Sequence, residues 1–227
     1  MKLKGLIFDF DGLIIDTETP AYVGLKRVYA KYGLELKETT FGKIVGTDDN
    51  DEFHPYHSLA KTLPDGSLSH EAFEAMYDIE KEREYEAMIV LPGVREMIAE
   101  ARRRGLKTAI ASSSHSTWVK GYLPKFGLQD SFDEIITCEL VKNVKPEPDL
   151  FLLAQSKLGF AKDEVVIFED SFNGVIAANR AGIHVVLIPN PVTIHLPIKG
   201  ESLRVASMAD LTLERLDDLL RNGHEPN

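Results

Sequence analysis

From Leu91 onward one unit recurs: a helical stretch closes on a glycine and an apolar run follows. It occurs as Arg104-Gly105 before Leu106 to Ala111, Phe126-Gly127 before Phe132 to Thr137, Leu158-Gly159 before Val165 to Phe168, and Ala181-Gly182 before Ile183 to Ile188. A glycine just past a helix takes the left-handed conformation that ends it, and strands apolar on both faces lie inside a parallel sheet covered by helices. The repeat therefore predicts an α/β fold built on a doubly wound parallel sheet. The apolar run from Leu6 to Phe10 supplies a further strand of that sheet. A short strand at Leu203 to Ala206, a helix at Leu213 to Leu220 and a frayed end from Asn222 to Asn227 complete the expected Rossmann-like core.

Between Asp16 and Ile89 the texture is helical. Tyr22, Leu25, Val28, Tyr29 and Tyr32 recur at three and four spacing, as do Phe73, Met76, Tyr77 and Ile79 within a predicted amphipathic helix from His70 to Met88. Pro64-Asp65-Gly66 before it reads as a turn. The stretch is too long for a simple crossover. The expected organisation is a core of residues 1–16 and 90–227 with a separate helical lobe of residues 17–89, joined by two chain crossings that form a hinge.

Composition narrows the function. The 227 residues are 44% hydrophobic, enough for a sizeable interior, and the formal net charge is −10. That charge, with a sequence pI near 5.2, argues against a nucleic-acid or anionic-membrane surface. A single cysteine, Cys138, excludes an intrachain disulfide and a multi-cysteine metal site, and suits a reducing cytoplasm. No run approaches the roughly 20 apolar residues of a membrane span, and Asp9 and Asp11 interrupt the first apolar stretch before it could act as a signal peptide. The expected protein is cytoplasmic, and a monomer or weak dimer.

That interruption is the chemical signal. Leu6-Ile7-Phe8-Asp9-Phe10-Asp11-Gly12 places two carboxylates in an apolar run, and burying them unpaired is costly. In a strand Asp9 and Asp11 share one side while Phe8 and Phe10 pack on the other, and Gly12 lets the chain turn. Three more polar clusters follow strands: Ser112-Ser113-Ser114, Lys145-Pro146-Glu147-Pro148-Asp149 and Glu169-Asp170-Ser171-Phe172-Asn173-Gly174. In a doubly wound sheet such strand ends meet at one crevice. Asp9, Asp11, Glu169 and Asp170 together would repel one another unless a divalent cation joined them. Carboxylates without His or Cys partners are hard ligands suited to Mg2+, which binds substrate phosphate as well. Asp9 is then the candidate nucleophile, ionised at neutral pH, and Asp11 the general acid and base. Ser112, the amides of the loop through Ser113, the Gly12 amide and Lys145 are candidate donors to the phosphoryl oxygens.

Asp9-Phe10-Asp11-Gly12-Leu13-Ile14-Ile15-Asp16, Ser112 after Thr108-Ala109-Ile110-Ala111, Lys145-Pro146 and Glu169-Asp170-Ser171 resemble, in order and spacing, the four motifs of the haloacid dehalogenase superfamily. The resemblance covers the whole chain and is greatest to the branch containing β-phosphoglucomutase and phosphoglycolate-type phosphatases. It implies that the helical lobe is a cap that closes over substrate. It also implies that Mg2+ is held by the Asp9 carboxylate, the Asp11 backbone carbonyl and the Asp170 carboxylate, with Glu169, Asn173, Asp16 and Thr17 in support.

Asp11 favours phosphate-ester hydrolysis or transfer over dehalogenation, because an oxygen leaving group needs a proton. A hexose-phosphate mutase would need a cationic clamp for a second phosphate, and the corresponding stretch here is Gly46-Thr47-Asp48-Asp49-Asn50-Asp51. Acids there predict a phosphatase whose partner is a small phosphorylated metabolite, a phosphomonoester, with a β-phosphoglucomutase-type mutase as runner-up and a non-catalytic regulatory protein as the reading from another class. The bland alternatives are a solvated acidic turn for Asp9 and Asp11, an N-cap pair for Glu169-Asp170, a polar loop for Ser112 to Ser114 and an exposed charge for Lys145. His54 and His57 have a zinc-like spacing but no third ligand, so they are expected at the surface or facing substrate without metal. His115 is expected at a helix start or near substrate, and Cys138 as a small structural residue by a strand end.

Overall fold

The computed structural model describes residues 2–41, 55–64, 66–86 and 88–223. Within them a six-stranded sheet contains β1 (Gly5–Phe8), β2 (Lys107–Ala111), β3 (Glu134–Ile136), β4 (Val165–Glu169), β5 (His184–Leu187) and β6 (Leu203–Arg204), in the order β3-β2-β1-β4-β5-β6. Every pairing is parallel, and β1 lies between β2 and β4, with Leu6 opposite both Thr108 and Val166. The order reverses at β1, so the crevice of the doubly wound sheet opens where Asp9 and Asp11 follow it.

Alternation along β1 explains the two layers. Leu6 and Phe8 join one apolar cluster with Met97, Ile98, Leu216 and Leu219, from α5 (Val94–Arg103) and α9 (Leu213–Asn222). Ile7 faces the other cluster with Phe151, Ala154, Val175 and Ala178, from α7 (Asp149–Leu158) and α8 (Phe172–Ala181). A strand covered on both faces must be apolar throughout, as Gly5–Phe8 is.

Gly105, Gly127, Gly159 and Gly182 all take the left-handed conformation the repeat requires. The second unit differs in one respect: α6 (Ser116–Tyr122) stops early, and Pro124–Phe126 forms a 3-10 turn before Gly127. Pro124 has no N–H to continue the helix. The strands expected at Phe132 to Thr137 and Leu203 to Ala206 are shorter, at Glu134–Ile136 and Leu203–Arg204.

Between β1 and α5 lie α1 (Glu18–Lys31), α2 (Glu38–Phe41), α3 (Pro55–Ala60) and α4 (His70–Tyr85). Tyr22, Leu25, Val28 and Tyr29 pack with Leu36, Phe41, Leu59 and Phe73 in a cluster of their own. Ile79, expected on the apolar face of α4, is 56% exposed; α4 contributes Phe73, Met76 and Tyr77 to the cluster instead. The expected turn before α4 closes where the Ser67 N–H donates to Pro64 O at 3.0 Å. The two connections to the sheet run antiparallel, bridged at Ile15 and Val90, with the Leu91 N–H donating to Ile14 O at 2.9 Å. His54, the Gly46 to Asp51 stretch and the end of the chain beyond Gly223 lie outside the described residues. Among the described residues no helix is long and apolar enough to cross a membrane.

Candidate active site

Strand pairing carries one residue past β1, where the Asp9 N–H donates to Phe168 O at 3.0 Å. Phe8 and Phe10 are fully buried, while Asp9 is 7% exposed and turned to the crevice. Its Oδ1 accepts from Lys145 Nζ at 2.5 Å, and the same ammonium reaches Glu169 Oε1 at 2.6 Å. Lys145 is buried with its ammonium 4.9 Å from the Phe151 ring centre, so its charge is balanced by these two acids in an apolar surround.

Glu169 is fully engaged. Its Oε2 accepts the Asp170 N–H at 2.9 Å, the Ser171 N–H at 3.0 Å and the Ser171 hydroxyl at 2.9 Å. The Ser171 hydroxyl in turn caps α8, accepting the Gly174 N–H at 3.1 Å. A Cβ on Gly174 would lie 1.8 Å from Glu169 Cδ, so only glycine lets this carboxylate sit against the helix start. Gly174→Ala should lower stability by about 2–3 kcal/mol by overpacking, measured by urea denaturation. Gly121→Ala on α6, where a Cβ meets nothing within 4 Å, should be neutral or stabilising in the same assay.

Asp170, 1% exposed, accepts from Asn190 Nδ2 at 2.6 Å. Asn190 follows β5 and is fixed by its own loop, Oδ1 accepting the Val192 and Thr193 N–H groups at 2.9 and 3.0 Å. Gly12 makes room for both partners: a Cβ there would stand 2.5 Å from Asp170 Oδ2 and 2.6 Å from Asn190 Nδ2, at a φ of 75°. The Gly12 amide, expected to face a phosphoryl oxygen, donates instead to Ile15 O at 2.8 Å within the turn.

Asp11 belongs to a different set of contacts. Ser114 Oγ donates to its Oδ2 at 2.6 Å, and Trp118 Nε1 donates to its Oδ1 at 2.8 Å. The Ser112 hydroxyl, 3.4 Å from Asp11 Oδ2, accepts the Ser114 N–H at 3.0 Å. The hydroxyls of Ser113 and Thr17 are buried without a hydrogen-bond partner among the described residues. Asp16 Oδ1 accepts the Thr19 N–H at 3.0 Å and so fixes the start of α1. Asn173 is half-buried in the first turn of α8.

Acids outnumber cations in the crevice, and their proton affinities show it. Burial, reinforced by Glu169, pushes Asp9 up to about 7 against the pull of Lys145. Burial, then Glu169 and Asp9, raises Asp170 well above the ordinary carboxylate range. Lys145 moves up as well: burial is its largest influence and lowers it, but Asp9 and Glu169 together outweigh that. The shared lysine stays charged while the excess acid is driven toward protonation. Glu18, at the start of α1, is pushed up to about 8 by burial and then by Asp11, Asp9 and Asp16, which places a further acid at this site.

Oxygens of Asp9, Glu169 and Asp170 lie within 4.8 Å of one another, an all-oxygen donor set of the kind that holds Mg2+. Both oxygens of Glu169 are taken by Lys145 and backbone amides, which leaves Asp9 and Asp170 as the carboxylates available to a cation. His115, Cys138 and Glu139 form a second group within 4.8 Å, in which Glu139 Oε1 accepts from the Ser116 N–H at 2.8 Å, at the start of α6, and meets His115 Nδ1 at 3.1 Å. The His57 ring lies 5.1 Å from that of Tyr56 on α3.

The structure thus gathers Asp9, Lys145, Glu169 and Asp170 at one point, with Asp11, Ser112 and Ser114 beside it. Sequence reasoning missed Asn190, Trp118, Ser114 as an anchor of Asp11, and Glu18. Asn190 carried a weak signal, a polar residue a few positions past a strand, set between Pro189 and Pro191.

Fold and site together define a doubly wound α/β protein with a carboxylate and lysine cluster at the carboxyl ends of its central strands. The chain belongs to the haloacid dehalogenase-like hydrolase family, whose model matches residues 6–188. It is similar to "Putative phosphatase YhcW" of Bacillus subtilis, 40% identical over 97% of this chain and 99% of that one. It is also similar to "Phosphorylated carbohydrates phosphatase" of Thermotoga maritima, 32% identical over 80% of this chain and 82% of that one. Among solved structures, a "putative beta-phosphoglucomutase" from Thermotoga maritima matches with a TM-score of 0.71 and 28% identity, over 97% of this chain and 100% of that one.

Proposed function

We propose that this protein is a Mg2+-dependent phosphatase that hydrolyses a small phosphomonoester through an aspartyl phosphate on Asp9. The observation that carries the reading is the separation of the two aspartates: Asp9 lies against Lys145 at 2.5 Å, while Asp11 is held apart by Ser114 and Trp118. In the first step an Asp9 oxygen attacks phosphorus, the bond to the ester oxygen breaks, and the alcohol leaves with a proton from Asp11. In the second, Asp11 takes a proton from water as that water attacks phosphorus, breaking the bond to Asp9 and freeing phosphate. Lys145 and the hydroxyls of Ser112 and Ser113 bind the phosphoryl oxygens, and the Ser113 hydroxyl, buried with no partner among the described residues, gains an acceptor.

Asp9 and Asp170 would hold Mg2+, with the Asp11 carbonyl implied as a third ligand. When bound, the cation supplies positive charge that offsets the phosphoryl charge and the surplus of carboxylates. We assign residues 1–16 and 90–227 as the core and 17–89 as a cap over the crevice. A sugar phosphate is the proposed substrate, the class in the name of the Thermotoga maritima phosphatase that this chain matches at 32% identity.

A panel of sugar, nucleotide and glycolytic phosphates assayed with Mg2+ and with EDTA tests this. Phosphate release should be strongest for sugar phosphates, stop in EDTA and return with added Mg2+; turnover indifferent to EDTA overturns the metal role. The name of the Thermotoga maritima structure motivates one further arm. With β-glucose 1-phosphate, release of phosphate supports hydrolysis, whereas glucose 6-phosphate formed with a bisphosphate primer supports a mutase.

A further inference from the structure

Both oxygens of the Asp11 carboxylate are held, but by unlike partners. Oδ1 accepts the Trp118 indole N–H at 2.8 Å, and Oδ2 accepts the Ser114 hydroxyl at 2.6 Å with Ser112 Oγ at 3.4 Å. An indole N–H only donates, whereas a hydroxyl can reverse and accept. Oδ1 is therefore the poorer place for a proton, and Oδ2, beside the two serines, can carry one when their hydroxyls turn.

Trp118 also reaches beyond the sheet. It stands on α6, and Tyr85, the last residue of α4, packs on its indole with ring centres 5.3 Å apart. Tyr122, one turn further along α6, closes the cluster at 4.5 Å from Trp118 and 6.5 Å from Tyr85. One side chain thus touches both the carboxylate of Asp11 and the final turn of the inserted helices.

Resting on the phosphatase reading, we propose that Trp118 is a positioning residue: it orients Asp11 so that Oδ2 exchanges the protons, and through Tyr85 it ties that orientation to the placement of the helices. Asp11 touches the reacting atoms; Trp118 acts through it. A tryptophan that only fills space would be replaceable by phenylalanine without kinetic effect.

The protein contains one tryptophan, so its intrinsic fluorescence reports this indole alone. Asp11→Ala should shift the emission of the folded protein, whether or not any ester is turned over; an unchanged spectrum overturns the contact. With a phosphatase substrate, Trp118→Phe should lower kcat about tenfold while KM stays within about twofold, the pattern of a lost transition-state contribution. Unchanged kcat overturns the positioning role. If Trp118→Phe does not fold, Ser114→Ala removes the other anchor and should give the same split between kcat and KM. Tyr85→Ala should also lower kcat, and the double variant with Trp118→Phe should fall no further than the worse single one, because both act through one side chain. Additive losses overturn the link to the helices. Absence of turnover on every phosphate ester would sink the phosphatase reading while leaving the fluorescence result standing.

Discussion

Asp9→Asn should lower turnover by a factor on the order of 10^4 or more, because the amide keeps the shape of the side chain but has no anionic oxygen to attack phosphorus. Stability should change the other way. The Asp9 carboxyl titrates near its ordinary value of 3.8 in the unfolded chain and near 7 in the fold, chiefly through burial. Between those values the folded state binds more protons than the unfolded one, so this group's contribution to stability falls as pH rises through the window, by at most about 1.4 kcal/mol per pH unit. Asparagine has no proton to lose. In EDTA the variant should melt above the wild type at pH 8, with the gap shrinking toward pH 5, and added Mg2+ should stabilise the wild type more than the variant. Equal turnover in the two proteins would remove Asp9 from the chemistry.

Lys145→Met should be the most destabilising change at the site. The Lys145 side chain is 3% exposed and its ammonium bonds Asp9 at 2.5 Å and Glu169 at 2.6 Å, so its removal leaves two buried carboxylates with no cation between them. Losing one partner of a buried pair costs about 3–5 kcal/mol. Methionine still fills the space over Phe151, which isolates the loss of charge from the loss of packing. The deficit should be largest at pH 8, where Asp9 is driven to ionise, and smaller toward pH 5, where it takes up a proton. Turnover should fall about 100-fold or more in any folded variant, since the phosphoryl oxygens lose their lysine. Urea denaturation at the two pH values measures the stability effect. A midpoint equal to the wild type at pH 8 would contradict the claim that Lys145 balances the cluster.

What the sequence revealed follows from where strands end. Asp9, Asp11, Ser112, Glu169 and Asp170 were legible because each follows or closes an apolar run, and a parallel sheet brings such points together. Helix residues gave no comparable signal. Trp118 reads as an aromatic on a short helix, and Glu18 as a favourable acid at a helix start, until packing shows that both come to Asp11. Local chemistry overrode pattern twice: Pro124 ended α6 before its glycine, and the Gly12 amide closed the turn around Gly12 that brings this segment against Asp170.

Turnover through a covalent phosphate on Asp9 passes through an acyl phosphate that borohydride can trap. Wild-type protein mixed with a turned-over sugar phosphate and Mg2+, quenched within one turnover and reduced with borohydride, should yield homoserine in place of Asp9 in the peptide bearing Phe8 to Asp11. The product should be absent without substrate and absent in Asp9→Asn. Homoserine at position 11, or none at position 9 while phosphate is being released, would rule out Asp9 as the nucleophile.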